Sequence, residues 1–415
     1  MLPGPKKPLA ELTREVGMQH GDSSRGEGVT CGAEAERWFC DRRRGIRRRP
    51  RRHGAQVGKE ATRGTGRGRG PTPGMAGAPI FCAADQVQPV RPALFVFGDG
   101  SLDVGNNNYI EPNEVGDPWR ATHSYYGIDF PKSEPTGRFS NGFNMADFIA
   151  KAMGFKMSPR AYMSLNSPAK LDAGFSGVNY ASATAGIWRD SDDGLNIPLM
   201  DQVKYFAATI EKMEANRSRQ ELSKMLSNSL FLISVGASDL YYIYNIMTRS
   251  EPDNKTDVPH LLSSYGDNIT ALYNLGARKF AIINVPTLCT PVVSHTCDDL
   301  MTSLPKDFNN GIKPLMDGLA SNLDGLRYSI ADFYAFSDVV SANPSAYGFV
   351  NTAASCCEGP CAANYKPPCA NRMEYWYWDQ ENPTEQAAKL ATTTFLNGTM
   401  QFTARMNFEM LFNQK

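Results

Sequence analysis

Five short apolar runs punctuate the chain between residues 93 and 334: "ALFVFGDG" (93–100), "GVNYASA" (177–183), "LFLISVG" (230–236), "KFAIINV" (279–285) and "YSIADFY" (328–334). Each is apolar on successive rather than alternate positions, which predicts strands buried on both faces of a parallel sheet. Between them the spacing turns helical, in "NMADFIAKAMG", "LMDQVKYFAATIEKM", "HLLSSYGDNITALYNLG" and "NNGIKPLMDGLASNL", the third closed by Gly276 as a C-terminal cap. Strands alternating with helices imply right-handed crossovers. The expected fold is α/β: a three-layer α/β/α sandwich around a central, mostly parallel five-stranded sheet of flavodoxin type. In such a sheet the functional crevice lies outside the carboxyl ends of the strands, where the turn Gly98–Ser101 falls.

The first 90 residues break this pattern. They carry 17 Lys and Arg against 9 Asp and Glu, with "RRRGIRRRPRRHG" and "TRGTGRGRGPTPG" and almost no periodic apolar residues. Too little surface could be buried to offset chain entropy, so residues 1–90 are expected to be a disordered basic Arg/Gly-rich extension, with Met75 as an alternative start, and residues 91–415 the globular domain. Nucleic-acid binding through the basic run is the weaker alternative: no aromatic residues are interleaved for base stacking.

The body is mildly acidic, with 26 Lys and Arg against 34 Asp and Glu. "MAGAPIFCAADQVQPV" has too short an apolar core for a secretory signal, and no apolar run is long enough for a membrane span. Glycosylation acceptors nonetheless occur at Asn216, Asn254, Asn268 and Asn397. Six cysteines cluster (Cys289, Cys297, Cys356, Cys357, Cys361, Cys369), which suits disulfides better than zinc, since no histidine lies beside "CCEGPCAANYKPPC" and two of its thiols are adjacent. Both features point to a secreted ancestry, with a signal peptide absent from this chain.

The chemistry begins at "FVFGDGSLDVGNNNY" (95–109), an apolar strand running into a Gly-Asp turn. Further blocks follow in order: "PTGRFSNGFNMADFIA" (135–150), "GVNYASATAGI" (177–187), "VGASD" (235–239), "LYNLGARKFAIINVP" (272–286), "AYGFVNTAASCC" (346–357) and "YWDQENPTEQAA" (377–388). From about Pro92 to Leu411 the chain resembles the plant GDSL esterase/lipase family, a branch of the SGNH hydrolases. The resemblance implies hydrolysis of carboxylic esters of lipids, acylated sugars or cell-wall polymers, with no metal or organic cofactor and a small-molecule ester or acyl ligand as partner.

It also implies three gaps. The family's opening block, Phe-Gly-Asp-Ser-x-x-Asp-x-Gly-Asn-Asn, places its nucleophilic serine at Gly100, with Ser101 in the variable position that follows. Its Gly-x-Asn-Asp block becomes Gly236-Ala237-Ser238-Asp239, so the oxyanion-donating asparagine falls on Ser238. Another oxyanion donor, a glycine N–H, falls at or near Ala183 or Thr184, where a backbone donor should survive. Its Trp-Asp-x-x-His-Pro block reads Trp378-Asp379-Gln380-Glu381-Asn382-Pro383, which keeps Asp379 and puts Asn382 in the place of the histidine.

A serine hydroxyl must hand its proton to a base poised near pH 7, which imidazole can be and a carboxamide cannot. Losing either nucleophile or base costs about 10⁶ in turnover, because the two act as a unit. The reading is therefore a catalytically impaired member that binds rather than hydrolyses; the alternative is an active hydrolase using Ser101 as a shifted nucleophile. With no histidine to orient, Asp379 is expected to cap the helix that starts near Pro383. His123, His260 and His295 are expected at the surface or in loops, and Trp376, Tyr377 and Trp378 in the core, with the cleft rim as the alternative.

Overall fold

A computed structural model describes residues 92–414 apart from 166–174, 189–193, 216, 250–255 and 291–296. The basic extension with its nucleic-acid reading, the acceptors Asn216 and Asn254, and His295 therefore lie outside the described residues.

The five apolar runs become β1 (Leu94–Gly98), β2 (Gly177–Asn179), β3 (Leu230–Ser234), β4 (Lys279–Ile283) and β5 (Arg327–Ala331). They pair in parallel in the order β2-β1-β3-β4-β5. The apolar pattern has the anticipated cause: Phe95 and Phe97 face one core and Leu94 and Val96 the other, so neither side of β1 meets water. Phe97 stacks on Tyr180 with ring centroids 5.0 Å apart, and Phe206 packs edge-on to Phe95 at 5.0 Å.

Helices cover both faces: α1 (Met145–Ala152), α2 (Leu199–Glu214), α3 (Arg219–Asn228), α4 (Ala237–Arg249), α5 (Val258–Asn274), α6 (Asp299–Asn322), α7 (Phe333–Ala342), α8 (Glu385–Asn397) and α9 (Phe408–Asn413). As expected, Gly276 follows the end of α5 at φ +108°, its N–H donating to the Tyr273 carbonyl. The segment expected from Asn309 onward starts ten residues earlier, at Asp299, capped by Asp298, and runs through Pro305 and Pro314. Pro314 lies inside the segment expected to be helical, and Pro305 in the stretch before it.

The sheet also has six strands rather than five. After a small parallel pair, β6 (Asn351–Ser355) and β7 (Tyr375–Tyr377), the two-residue β8 (Thr403–Ala404) adds antiparallel to β5. Two residues are too few to leave a periodic signal. Cysteines pair as Cys289–Cys297, Cys356–Cys369 and Cys357–Cys361. The last two bridges tie the segment before β7 into a buried cluster with Ala183 and Trp378.

The end of β1 sets the position of everything that follows. Gly98 has φ +146°, and a Cβ there would lie 2.1 Å from the Ser234 carbonyl oxygen on β3. Only glycine allows this approach. Gln202 on α2 clamps the same residue, accepting its N–H at 2.8 Å and donating to its carbonyl at 2.9 Å. We expect Gly98→Ala to lose at least about 3 kcal/mol in chemical denaturation, through clash and backbone strain together; a loss under about 1 kcal/mol would show that the turn accommodates a side chain.

Candidate active site

Residues 99–103 form a single turn closed by the Leu102 and Asp103 N–H groups on the Asp99 carbonyl. Asp103 is fully buried and takes the N–H groups of Gly105 (2.7 Å) and Asn106 (2.8 Å) on one oxygen and that of Ala183 (3.1 Å) on the other. Asn106 donates to the carbonyls of Asn179 and Ala181, and Asn107 accepts from the Ser182 hydroxyl and again from the Ala183 N–H. These bonds fix the loop after β1 against the segment after β2.

Gly100 is half-buried in this turn, and a Cβ there would lie 3.4 Å from Asn382 Oδ1 and 3.6 Å from the Ala183 Cβ. The fold thus brings position 100 face to face with position 382, from opposite ends of the domain. Asn382 is held firmly. Its Nδ2 donates to both Asp379 oxygens (3.1 and 3.2 Å) and its backbone N–H to Oδ1 at 2.7 Å. A carboxylate only accepts, so the amide nitrogen turns to Asp379 and Oδ1 is left facing Gly100.

Asp379 is not the cap of α8. That role belongs to Thr384, which accepts the Ala387 N–H at 3.2 Å, while Asp379 closes its own turn by accepting the Glu381 and Asn382 N–H groups. Its other oxygen takes the Tyr126 hydroxyl at 3.0 Å. Nothing local in the sequence marks Tyr126 for this role.

Ser101 turns away from Asn382. Its hydroxyl donates to Asp99 Oδ1 at 2.7 Å and lies 3.4 Å from the Ser234 hydroxyl. On the oxyanion side, Ala183 is corrected: its N–H is committed to Asp103 and Asn107, because that loop is anchored inward. Thr184, next to it, has φ +63°, a conformation that favours glycine. Gly236 has φ +129°, and a side chain there would press on Phe308 (3.0 Å) and Val285 (3.1 Å). Ser238, in the first turn of α4, is half-buried, with no side-chain hydrogen bond among the described residues.

Carboxyl groups crowd the site. Burial raises Asp99 and Asp379 above the ordinary carboxylate range. Asp239, bonded to the Ile187 and Trp188 N–H groups, is pushed up to about 7 by burial and by Asp99. Solvent still reaches Glu381, yet surrounding protein and the negative charges of Asp379 and Asp99 push it up to about 7 as well. Beside it lies a small cavity of about 80 Å³ whose walls include Ala237, Tyr241, Phe333, Trp376, Tyr377 and Glu381. Trp376, Tyr377 and Trp378 are buried, so the core reading holds, and the first two also present surface to this cavity. His123 and His260 are exposed, the latter against Asp257 beside α5. Among the described residues, no group of His, Cys, Asp or Glu is placed to hold a metal ion, and no helix is long and apolar enough to cross a membrane.

A flavodoxin-ordered sheet with a polar-anchored turn beyond β1, facing an Asp-x-x-Asn turn beyond β7, defines an α/β/α cleft at the carboxyl ends of the strands. Residues 94–393 match the model of the GDSL-like Lipase/Acylhydrolase family, and the chain belongs to that family. It is 32% identical over 334 residues to GDSL esterase/lipase At5g22810 of Arabidopsis thaliana, covering 75% of this chain and 90% of that protein. It is 33% identical over 342 residues to GDSL esterase/lipase At1g71691 of the same plant, covering 78% and 86%. Among solved structures, a putative GDSL-like lipase from Parabacteroides merdae aligns with TM-score 0.35 at 10% identity, over 73% of this chain and 93% of that one.

Asp239 and Glu381 both hold their protons more tightly folded than unfolded. Their contribution is therefore fully present below about pH 4, near the unfolded values, and is lost as pH rises through about 7. Denaturation should show the body losing stability between about pH 5 and pH 8. Allowing for solvent screening, Glu381→Gln should recover about 1 kcal/mol at pH 8 and nothing at pH 4; equal effects at both would contradict the assignment.

Proposed function

We propose that this chain is a GDSL esterase/lipase-family protein that has lost hydrolysis and kept its cleft, so that it binds a small ester or acyl ligand without turning it over. The observation that carries the reading is the pairing of Gly100 with Asn382. The site is built so that these positions meet, yet one offers no side chain and the other an amide oxygen that takes up no proton at neutral pH. The order of the motif blocks in the sequence supports reading these two positions as those of the serine and histidine, and Ser238 as that of the oxyanion asparagine. The inward-bonded Ala183 N–H removes one further donor from the cleft.

The Ser101 alternative lacks a base of the usual kind, since its hydroxyl is bound to Asp99 within its own turn. The three disulfides support the proposal that the chain works in an oxidising, extracytoplasmic compartment.

The test is turnover of short p-nitrophenyl esters. The unmodified chain should stay at the level of a heat-killed control, and each of Gly100→Ser, Ser238→Asn and Asn382→His should stay near it, because the triad works as a unit. The three together should regain activity at least about tenfold above background, short of a full enzyme because misplacement by about 1 Å costs about 10²-fold. Turnover by the unmodified chain that vanishes in Ser101→Ala would overturn the proposal. A triple variant that melts cooperatively and stays silent would show that the cleft itself has drifted.

A further inference from the structure

The cavity next to the turn at residues 379–383 combines aromatic side chains with a carboxylate. Four of its walls are aromatic: Tyr241 on α4, Phe333 at the start of α7, and Trp376 and Tyr377 on β7. The Tyr241 hydroxyl is committed to the Leu288 carbonyl at 2.9 Å. At the mouth stands Glu381, whose side chain has no hydrogen bond or ion pair among the described residues. No lysine or arginine lines the cavity.

The charges acting directly on its lining side chains are negative, and Lys306 acts in turn on one of them, Asp338. The negative groups acting on Glu381 are Asp379 and Asp99, Glu381 in turn acts on Tyr241, and Asp338 acts on Tyr377. Aromatic faces attract a cation through their quadrupoles, and an ammonium whose charge is spread over methyl groups loses little hydration on entering such a site. An unpaired carboxylate at the mouth supplies the counter-charge. A carboxylate ligand, by contrast, would meet this field at full cost. At about 80 Å³ the cavity suits a head group of a few carbons rather than a long acyl chain.

We propose that the aromatic cavity formed by Tyr241, Phe333, Trp376 and Tyr377, with Glu381 at its mouth, binds a small organic cation of the alkylammonium class. This deepens the binding reading above and rests on it. The cavity wall runs through Gln380, Glu381 and Pro383, on either side of Asn382, so its occupant would lie next to the turn that faces Gly100. Of the carboxyl groups crowding the site, Asp99, Asp239 and Asp379 are engaged in hydrogen bonds, and Glu381 is the one left to supply a counter-charge.

The probe is choline chloride, measured by calorimetry at pH 8 against 3,3-dimethylbutan-1-ol, which has the same shape with carbon in place of the charged nitrogen. The unmodified chain should bind choline at least about tenfold more tightly than the neutral alcohol, the preference expected where cation–π attraction and a carboxylate act together. Glu381→Gln should reduce choline affinity about fivefold or more and leave the alcohol unchanged. Tyr241→Leu, checked for a cooperative melt, should weaken choline more than the alcohol. Equal affinity for the two probes, or no binding of choline at about 20 mM, far above a specific site's range, overturns the proposal. The two readings fail separately: ester turnover by the unmodified chain defeats the silent-cleft reading, whereas loss of charge preference defeats only this one.

Discussion

The buried carboxylate of Asp103 is the constraint on which the site depends. It takes three backbone N–H groups from two loops at the carboxyl ends of β1 and β2, and those loops carry Gly100 and Ala183. Asn106 and Asn107 extend the same network to Asn179, Ala181 and Ser182. A buried network stabilises only when every member is satisfied, because an unpaired polar group in a low-dielectric interior costs about 1–3 kcal/mol. This ties the loop geometry to folding rather than to chemistry. The loop geometry is therefore independent of which side chain stands at position 100.

The same division holds on the opposite wall. Asp379 in an active relative would orient an imidazole; here it gathers the Glu381 and Asn382 N–H groups, the Asn382 amide and the Tyr126 hydroxyl. Those bonds hold the turn whether or not a base stands at position 382. Expecting Asp379 to cap α8 was wrong because Thr384 stands immediately before that helix and supplies the cap itself. The outcome is a turn that presents the Asn382 amide oxygen towards Gly100.

Much of this was legible in the sequence for a physical reason. Strands buried on both faces leave unbroken apolar runs, and all five were found; the motif blocks led to Gly100 and Asn382, which the fold brings face to face. What escaped notice leaves no local trace. Two-residue β8 has no period, and the first ten residues of α6, with Pro305 among them, fell outside the segment read as helical. The direction of the Ala183 N–H depends on φ and ψ, which residue identity does not reveal. Tyr126 reaches Asp379 across 253 residues, and the aromatic cavity draws on three separate elements.

The most direct measurement of the central claim is covalent labelling by a fluorophosphonate, which reacts with a serine only when base and oxyanion donors activate it. The account predicts no adduct on the unmodified chain and an adduct at position 100 once Gly100→Ser, Ser238→Asn and Asn382→His are combined. An adduct on Ser101 of the unmodified chain, mapped by peptide mass spectrometry, would contradict it.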